Sequence, residues 1–336
     1  MKQLKSIHYL RAIAALMVVI FHIYATGRLT TVRVAELEWL RGGVDLFFVI
    51  SGFVMVRSTA GRDLTPRQFL TERIQRIVPL YWVATLAAMA SIKGEWLLKL
   101  GSLLFIPVAS PYRQYMQPVV APGWTLNYEM FFYVLFALTL LAAERHRLWL
   151  MLAALGGVIL IGLNFQADAL AQFYGRPLLL EFVLGMMIAR FKIECPVIMI
   201  PVGFALMYLL LPMLSDRLYS LGLPAAMVVA GALRAEARLP ELKFPALLGD
   251  ASYSIYLFHM PPIVMLASVW PLVGMGPVAF GLASFVMALA VGCSLHYILE
   301  RPIIRYFASR RSLRMELPSE PNPTMPVALP IPHSRP

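Results

Sequence analysis

Apolar stretches long enough to cross a membrane follow one another along almost the whole chain. Of the 336 residues, 60% are hydrophobic and only 14% are charged, whereas soluble domains average about 25% charged residues. A helix needs roughly 20 apolar residues to cross a hydrocarbon layer about 30 Å thick. This composition excludes disorder, a disulfide scaffold and a soluble enzyme, and it does not suggest a nucleic-acid-binding protein. Windows of this size predict ten spans, at about 8–26, 42–58, 77–92, 124–143, 148–165, 177–191, 196–212, 217–233, 247–268 and 277–298.

The basic residues are divided unevenly between the two sides of this arrangement. The chain has 29 Lys and Arg against 18 Asp and Glu, a net charge of +11. If the N-terminus is cytoplasmic, ten spans place 21 of the 29 basic residues on the cytoplasmic side and 8 outside. Because basic residues accumulate on the cytoplasmic side, we predict an all-α, polytopic membrane helix bundle with both termini cytoplasmic.

The chain divides into a long membrane domain and a short C-terminal tail. We predict a transmembrane domain over residues 1–308 and a Pro-rich, disordered cytoplasmic tail over 309–336. The apolar segment 96–108 is too short to span, so it is expected to lie on the membrane or re-enter it.

No helix carries His, Cys and carboxylate groups at metal-ligand spacing, and no metal is expected. Small residues, namely Gly42, Gly43, Ser51 and Gly52, are expected to permit close helix contacts.

Four ionisable residues fall at similar depths inside predicted spans, where such groups are costly and usually functional. At 1.5 Å per residue, each lies about 5–8 Å from the same predicted outer face. They are His22, Asp45, Glu129 and Glu181. We therefore predict one layer of an imidazole and three carboxylates. A histidine that only packs, and carboxylates that only pair with arginines, stay open as alternatives.

Arginines lie near the opposite, cytoplasmic face. Arg11 precedes His22 by 11 residues, close to three helical turns, so both face the same way and are about 16 Å apart. Arg73 and Arg76 share one helix face at i, i+3 spacing. Guanidinium groups bind phosphate well, although positive-inside topology alone would also explain this pair. The pattern suits a long molecule with a phosphate head, such as acyl-coenzyme A, that enters from the cytoplasm and reaches His22.

Five motifs in order give the chain a family resemblance. They are Arg11 and His22 separated by ten residues, GGVDLFFVISGF at 42–53, Arg73-x-x-Arg76, WTLNYEMFFY with Trp124 and Glu129, and GDASYSIYLFH at 249–259. With them, residues 4–306 resemble the membrane acyltransferase-3 family, and within it the exopolysaccharide O-acetyltransferases. The resemblance implies about ten helices in a bacterial inner membrane, in contact with membrane lipids. It also implies acetyl-CoA or another acyl-CoA as co-substrate, with no tightly bound cofactor. The implied acceptor is a lipid-linked or nascent polysaccharide.

The resemblance assigns a catalytic role to His22 and donor binding to Arg11, Arg73 and Arg76. We predict that His22 is the base for the sugar hydroxyl, and that Asp45 or Glu129 orients its imidazole. An acyl-histidine intermediate is the less favoured variant. Substrate contacts are predicted for Trp124, Glu181, Tyr256 and His259. Two competing classes are a transporter or flippase that uses the carboxylates as a proton path, and a scaffold subunit of an export machine.

Overall fold

The chain folds into helices throughout the part that the structure describes. A computed structural model describes residues 4–26, 34–90, 92–109, 116–274 and 276–316, and these ranges contain no β-strand. Short 3₁₀ and π-helical turns link or extend the α-helices. The helices are α1 (Lys5–Ala25), α2 (Gly42–Thr59), α3 (Pro66–Met89), α4 (Trp96–Leu103), α5 (Trp124–Thr139), α6 (Glu144–Asn164), α7 (Ala169–Tyr174), α8 (Leu180–Phe191), α9 (Met199–Leu210), α10 (Leu223–Ala235), α11 (Lys243–Asp250), α12 (Ser252–Phe258), α13 (Met260–Val273), α14 (Pro277–Leu295) and α15 (Arg301–Glu316).

The predicted all-helical membrane fold is confirmed, and each predicted window contains helix. Among the described residues, five helical segments are long and apolar enough to cross a membrane, or six if α12 and α13 form one bent span. Others are shorter: α5 has 16 residues and α8 has 12. A 3₁₀ turn precedes each of these two helices. The chain is thus a multi-pass membrane protein, while ten spans and cytoplasmic termini stay predictions. The five segments are Lys5–Ala25, Glu36–Thr59, Glu144–Asn164, Leu218–Arg238 and Pro277–Arg310.

Glycines bring α2 close to its neighbours, as the sequence predicts. A Cβ atom on Gly52 would collide with the carbonyl oxygen of Phe182 in α8, and one on Gly43 with that of Ala14 in α1. A Cβ atom on Gly185 of α8 would likewise collide with the carbonyl oxygen of Val49 in α2. Helices that touch through glycine exclude bulkier side chains from the crossing. Consequently α2 is held at a fixed distance from α1 on one side and from α8 on the other.

A capping box fixes the start of α3, the helix that carries the Arg73 and Arg76 pair. The Thr65 hydroxyl accepts a hydrogen bond from the backbone N–H of Gln68 at 3.2 Å, and the Gln68 side chain accepts one from the Thr65 N–H at 2.9 Å. Pro66 then occupies the first helical turn, where its missing N–H costs nothing. Both arginines therefore lie on a helix whose first turn is well defined.

The span predicted at 247–268 is broken at His259. Helices α12 and α13 meet there at 43°. Pro261 and Pro262 follow at once, and because proline lacks an N–H, two backbone hydrogen bonds of a continuous helix cannot form. At the break, the His259 imidazole Nδ1 donates to the carbonyl of Tyr256 at 2.7 Å. The break thus fixes the orientation of a fully buried histidine.

Two peripheral predictions have different outcomes. Part of the apolar segment 96–108 forms α4, in which Leu98 is buried while Trp96 and Leu97 are exposed. Its relation to the membrane stays a prediction. Helix α15 continues to Glu316, beyond the predicted domain end at residue 308. Residues 317–336, the rest of the predicted tail, lie outside the described residues.

Candidate active site

Helix α1 connects the two ends of the candidate site. It is a single helix of 21 residues that carries Arg11 in its second turn and His22 in its last. The predicted separation of about 16 Å along one face therefore holds. The face of α1 that packs against α12 and α13 includes Ala15, Val19 and Ile23. This packing brings the end of α1, with His22, next to the break at His259.

The imidazole of His22 contacts that of His259. Nδ1 of His22 lies 2.9 Å from the carbonyl oxygen of Val18 and 3.2 Å from Nε2 of His259. A ring nitrogen facing a carbonyl must carry the proton, so Nδ1 of both residues is protonated in their neutral forms. Nε2 of His259 is then an acceptor for His22, and the lone pair of His22 is on its Nε2. This is the tautomer in which Nε2 can act as a base.

His22 lines a cavity of about 620 Å³, which we call the His22 cavity. Its wall combines aromatic, basic and carboxylate side chains. Besides His22 these include Phe21, Arg41, Trp124, Phe173, Arg176, Asp216, Arg217 and Tyr256. The Arg217 guanidinium lies over the Trp124 ring, 5.8 Å from its centroid. Small-molecule sites typically have this size and a few polar groups on a largely apolar wall.

Arg11 lines a second cavity of about 140 Å³, the Arg11 cavity, together with Arg73, Arg76 and Glu129. Glu129 accepts hydrogen bonds from the hydroxyls of Ser51, at 3.1 Å, and Tyr133. Arg73 is nearly buried and lies over the Phe69 ring, yet its Nε has no hydrogen-bond partner among the described residues. Buried donors are normally paired. The unpaired Nε therefore suits an anionic ligand.

A third cavity, the mouth cavity, of about 410 Å³, continues from the Arg11 cavity toward the N-terminus of α1. The two share Arg11, Val54 and Arg76. Leu4 and His8 at the start of α1 line it as well. The mouth cavity, the Arg11 cavity and the His22 cavity thus follow one another along α1, in the direction that a long substrate would take.

Two residues, Val44 and Tyr256, line both the Arg11 cavity and the His22 cavity. They form the wall between them. The Tyr256 hydroxyl donates to the carbonyl of Pro122 at 3.0 Å and lies 2.8 Å from the Thr125 hydroxyl. Phe47 packs edge-on against the Tyr256 ring. Passage of a thioester from one cavity to the other would occur at this wall.

Asp45 is not bonded to His22 in the structure. Its two oxygens accept from Nε and Nη2 of Arg217, at 2.8 and 2.7 Å, and its side chain is fully buried. Such a bidentate pair satisfies both partners. The predicted role of Asp45 in orienting the imidazole therefore lacks the contact it requires, because its charge is already matched by Arg217. The fully buried Glu181 packs against Gly222, and neither of its carboxylate oxygens has a hydrogen-bond partner among the described residues.

The predicted layer of four groups is divided among three places. His22 is on the His22 cavity, Glu129 is on the Arg11 cavity with the arginines, and Asp45 and Glu181 are in the buried pair region. Glu129 is therefore no partner of the imidazole, since its hydrogen bonds come from Ser51 and Tyr133. Among the predicted substrate contacts, Trp124 and Tyr256 line the His22 cavity. His259 and Glu181 are fully buried and do not line it, although His259 contacts His22.

The sequence analysis did not single out three arginines that line the His22 cavity, namely Arg41, Arg176 and Arg217. In the sequence analysis they were included only among the eight basic residues of the predicted outer side. Arg217 and Asp45 both stand at the outer ends of predicted spans. Opposite charges at matching depth are a signal for a pair, and would have identified Arg217 as the partner of Asp45.

Residues 4–297 match the family model described as an acyltransferase domain, so the chain belongs to this acyltransferase family and is a membrane acyltransferase. This excludes the predicted alternatives of a transporter or scaffold subunit as its class. The chain is 38% identical to the exopolysaccharide production protein ExoZ of Rhizobium meliloti (strain 1021), over 80% of this chain and 91% of the relative.

Two further relatives are more distant. Acyltransferase MdmB of Streptomyces mycarofaciens is 25% identical over 80% of this chain and 82% of its own length. The putative membrane-bound transacylase BcsY of Komagataeibacter xylinus is 27% identical over 88% of this chain and 81% of its own length. No solved structure matches the chain.

Proposed function

We propose that the protein transfers an acetyl group from acetyl-CoA to a hydroxyl of an exopolysaccharide or related cell-envelope glycan, in the bacterial inner membrane. The main observation behind this proposal is that one helix, α1, contributes a residue to each of two neighbouring cavities. Arg11 lines a cavity rich in arginine, and His22, on the same face of α1, lines the cavity beyond the wall. The relative named for exopolysaccharide production supports this kind of acceptor.

The arginines are proposed to hold the phosphates of coenzyme A at the cytoplasmic side. Arg11 and Arg76 line both the mouth cavity and the Arg11 cavity, and the unpaired Nε of Arg73 faces no acceptor among the described residues. Guanidinium groups bind phosphate through charge-assisted hydrogen bonds. From there the pantetheine arm would extend past Val44 and Tyr256 and place the thioester beside His22.

Acyl transfer then needs a base at the acceptor hydroxyl. Nε2 of His22 accepts the hydroxyl proton while the oxygen attacks the thioester carbonyl. The new C–O bond forms, the C–S bond breaks, and the proton passes from His22 to the departing sulfur, which restores the neutral imidazole. Throughout this step the Nδ1–H of His22 donates to His259 and Val18. His259 is therefore proposed as the positioning residue, in place of Asp45 or Glu129.

Membranes supplied with labelled acetyl-CoA and unacetylated polysaccharide, or its lipid-linked precursor, test the proposal. Wild-type membranes should transfer label to the glycan, and His22→Ala should lower the transfer rate about a thousandfold, within the range for loss of a general base. His146→Ala is the matched control, because His146 is an exposed histidine whose imidazole accepts a hydrogen bond from its neighbour Arg145 and does not line the His22 cavity.

The variants must be present at equal levels in the membrane. Full transfer by His22→Ala would remove His22 from the chemistry. Absence of transfer by the wild type to any polysaccharide, with acetyl-CoA bound, would contradict the proposed acceptor.

A further inference from the structure

The proposed transfer step leaves the carboxylate of Glu129 without a role. Glu129 lines the Arg11 cavity, whose three arginines are proposed to hold the phosphates of the donor. A carboxylate accepts hydrogen bonds and carries negative charge, as phosphate does, so the two do not bind each other. The role of Glu129 must therefore lie with another group of the ligand.

One oxygen of Glu129 is held by the fold and the other is left over. Oε1 accepts hydrogen bonds from the hydroxyl of Ser51, at 3.1 Å, and from that of Tyr133, one turn further along α5. Oε2 forms no hydrogen bond or ion pair with the described part of the chain. It is not enclosed by protein atoms either, since the unpaired polar atoms that are enclosed belong to other residues. Oε2 is therefore an acceptor open to the cavity that Glu129 lines.

Hydrogen-bond donors of the same cavity are unpaired as well. The guanidinium of Arg11 forms no hydrogen bond or ion pair within the described ranges, and Nε of Arg73 has no partner there. Glu129 is close enough for its charge to act on both groups, yet it pairs with neither. A ligand in this cavity thus meets donors from α1 and α3 and an acceptor from α5. Only a ligand that both accepts and donates hydrogen bonds satisfies the whole set.

The Arg11 cavity is small, and most of its wall is apolar. Its volume is about 140 Å³, against about 410 Å³ for the mouth cavity and about 620 Å³ for the His22 cavity. Sites that enclose a whole small molecule are about 300–1,000 Å³. Phe47, Ile50 and Leu126 are among its apolar lining residues. A narrow, mostly apolar cavity between two larger ones suits a slender chain rather than a nucleotide.

Acyl-CoA has such a chain between its phosphates and its thioester. The pantetheine arm is largely apolar and contains two amide groups, each with an N–H donor and a carbonyl acceptor. The phosphates are proposed to bind at Arg11 and Arg76, which the mouth cavity shares, and the thioester beyond Val44 and Tyr256. The arm is then the part of the donor that occupies the Arg11 cavity.

We propose that Glu129 recognises the pantetheine arm of the donor by accepting a hydrogen bond from one of its amide N–H groups through Oε2. This inference rests on the proposed function, since it concerns the donor of the same reaction. The bonds from Ser51 and Tyr133 hold the carboxylate in the orientation that presents Oε2 to the arm. Glu129 is thus a residue that selects the donor, with no part in proton transfer at His22.

The test uses acetyl-CoA and two analogues, in each of which one amide N–H of the arm is replaced by an ester oxygen. The ester keeps the carbonyl but has no hydrogen to donate. With wild type, one analogue should have an apparent KM about tenfold above that of acetyl-CoA, the value expected for loss of a charge-assisted hydrogen bond. The other analogue should stay within twofold. Binding of the unacetylated forms to purified protein in detergent should show the same ratio without any acceptor.

Glu129→Gln should raise the apparent KM for acetyl-CoA about tenfold, with kcat within twofold of wild type at equal protein levels. Gln keeps an oxygen for the two hydroxyls and turns an NH₂ group, a donor, toward the arm. The sensitive analogue should therefore show no further rise with this variant. Glu241→Gln is the matched control and should have wild-type values, because Glu241 is exposed and lines none of the three cavities.

Equal wild-type KM values for all three donors would overturn the inference without any variant. A full tenfold penalty for the sensitive analogue on Glu129→Gln would also overturn it. So would tighter binding of acetyl-CoA by this variant, since Glu129 would then act only by repelling the phosphates. Binding of CoA with the expected ratio, but no transfer to any glycan, would support the inference and count against the proposed function alone.

Discussion

The Arg11 cavity and the His22 cavity treat buried charge in opposite ways. In the Arg11 cavity the carboxylate of Glu129 is bonded to hydroxyls, and Arg73 keeps an unpaired donor. In the His22 cavity the most buried arginine is bound to Asp45, and the imidazole of His22, the proposed base, contacts the imidazole of His259. One cavity thus keeps an unpaired guanidinium donor for a ligand, and the other leaves Nε2 of the proposed base without a partner among the described residues.

The largest effect is expected from removing the charge on Asp45, which tests whether this carboxylate serves mainly as the counter-ion of Arg217. Asp45→Asn leaves Arg217 as a buried cation without its counter-ion, which should lower the free energy of unfolding by about 3–5 kcal/mol. Thermal unfolding in detergent measures this, and adding Arg217→Gln should recover most of the loss. Asp63→Asn, in an exposed loop, is the control. A stable Asp45→Asn protein with a low kcat would instead return Asp45 to the role predicted from the sequence.

The contact between the two histidines predicts a smaller, purely kinetic effect. His259→Ala removes one of the two acceptors of the His22 Nδ1–H and leaves the Val18 carbonyl. It should lower kcat about a hundredfold, near the lower end of general-base contributions, because the ring loses the contact that fixes its position from the side of α13. The KM for acetyl-CoA should not change. His259→Gln offers an amide oxygen as acceptor and should recover part of the rate. Equal rates for the Ala and Gln variants would indicate that His259 only fills space.

The arginines should give the smallest effect, on donor affinity alone. Arg76→Ala should raise the apparent KM for acetyl-CoA about tenfold, because one charge-assisted hydrogen bond to phosphate is lost. The kcat at saturating donor should be near that of wild type. Arg67→Ala, an exposed arginine on the same helix outside the Arg11 cavity, should have the wild-type KM. An effect of Arg76→Ala on kcat alone would place it in the chemical step.

Features within one helix could be predicted from the sequence, whereas contacts between distant helices could not. The register of Arg11 and His22, the Arg73 and Arg76 pair and the small residues of α2 follow from helical geometry and composition, because they need no tertiary information. The bond between Asp45 and Arg217 joins residues 172 positions apart. The depth of a residue in its span has an uncertainty of several ångströms, so depth alone could not separate the three places that the predicted layer joined.

The partner of His22 was missed for a related reason. A continuous ninth span leaves His259 as one mid-membrane histidine among several apolar neighbours. Its position follows from the break at His259, just before Pro261 and Pro262, and from packing of α12 on α1, which brings it 3.2 Å from a residue 237 positions away. The two prolines that follow His259 predict the break in the helix. They do not predict that the break places His259 against α1.

Under the proposed function, the unbroken helix α1 fixes the distance between the donor site and the base. It has no internal proline, and both Arg11 and His22 are built on its backbone. Inserting a single alanine between them would rotate His22 by about 100° and shift it by about 1.5 Å, while leaving each side chain chemically intact. The length of this one segment therefore sets how far a donor must reach, and so relates the dimensions of the coenzyme arm to the number of residues between two side chains.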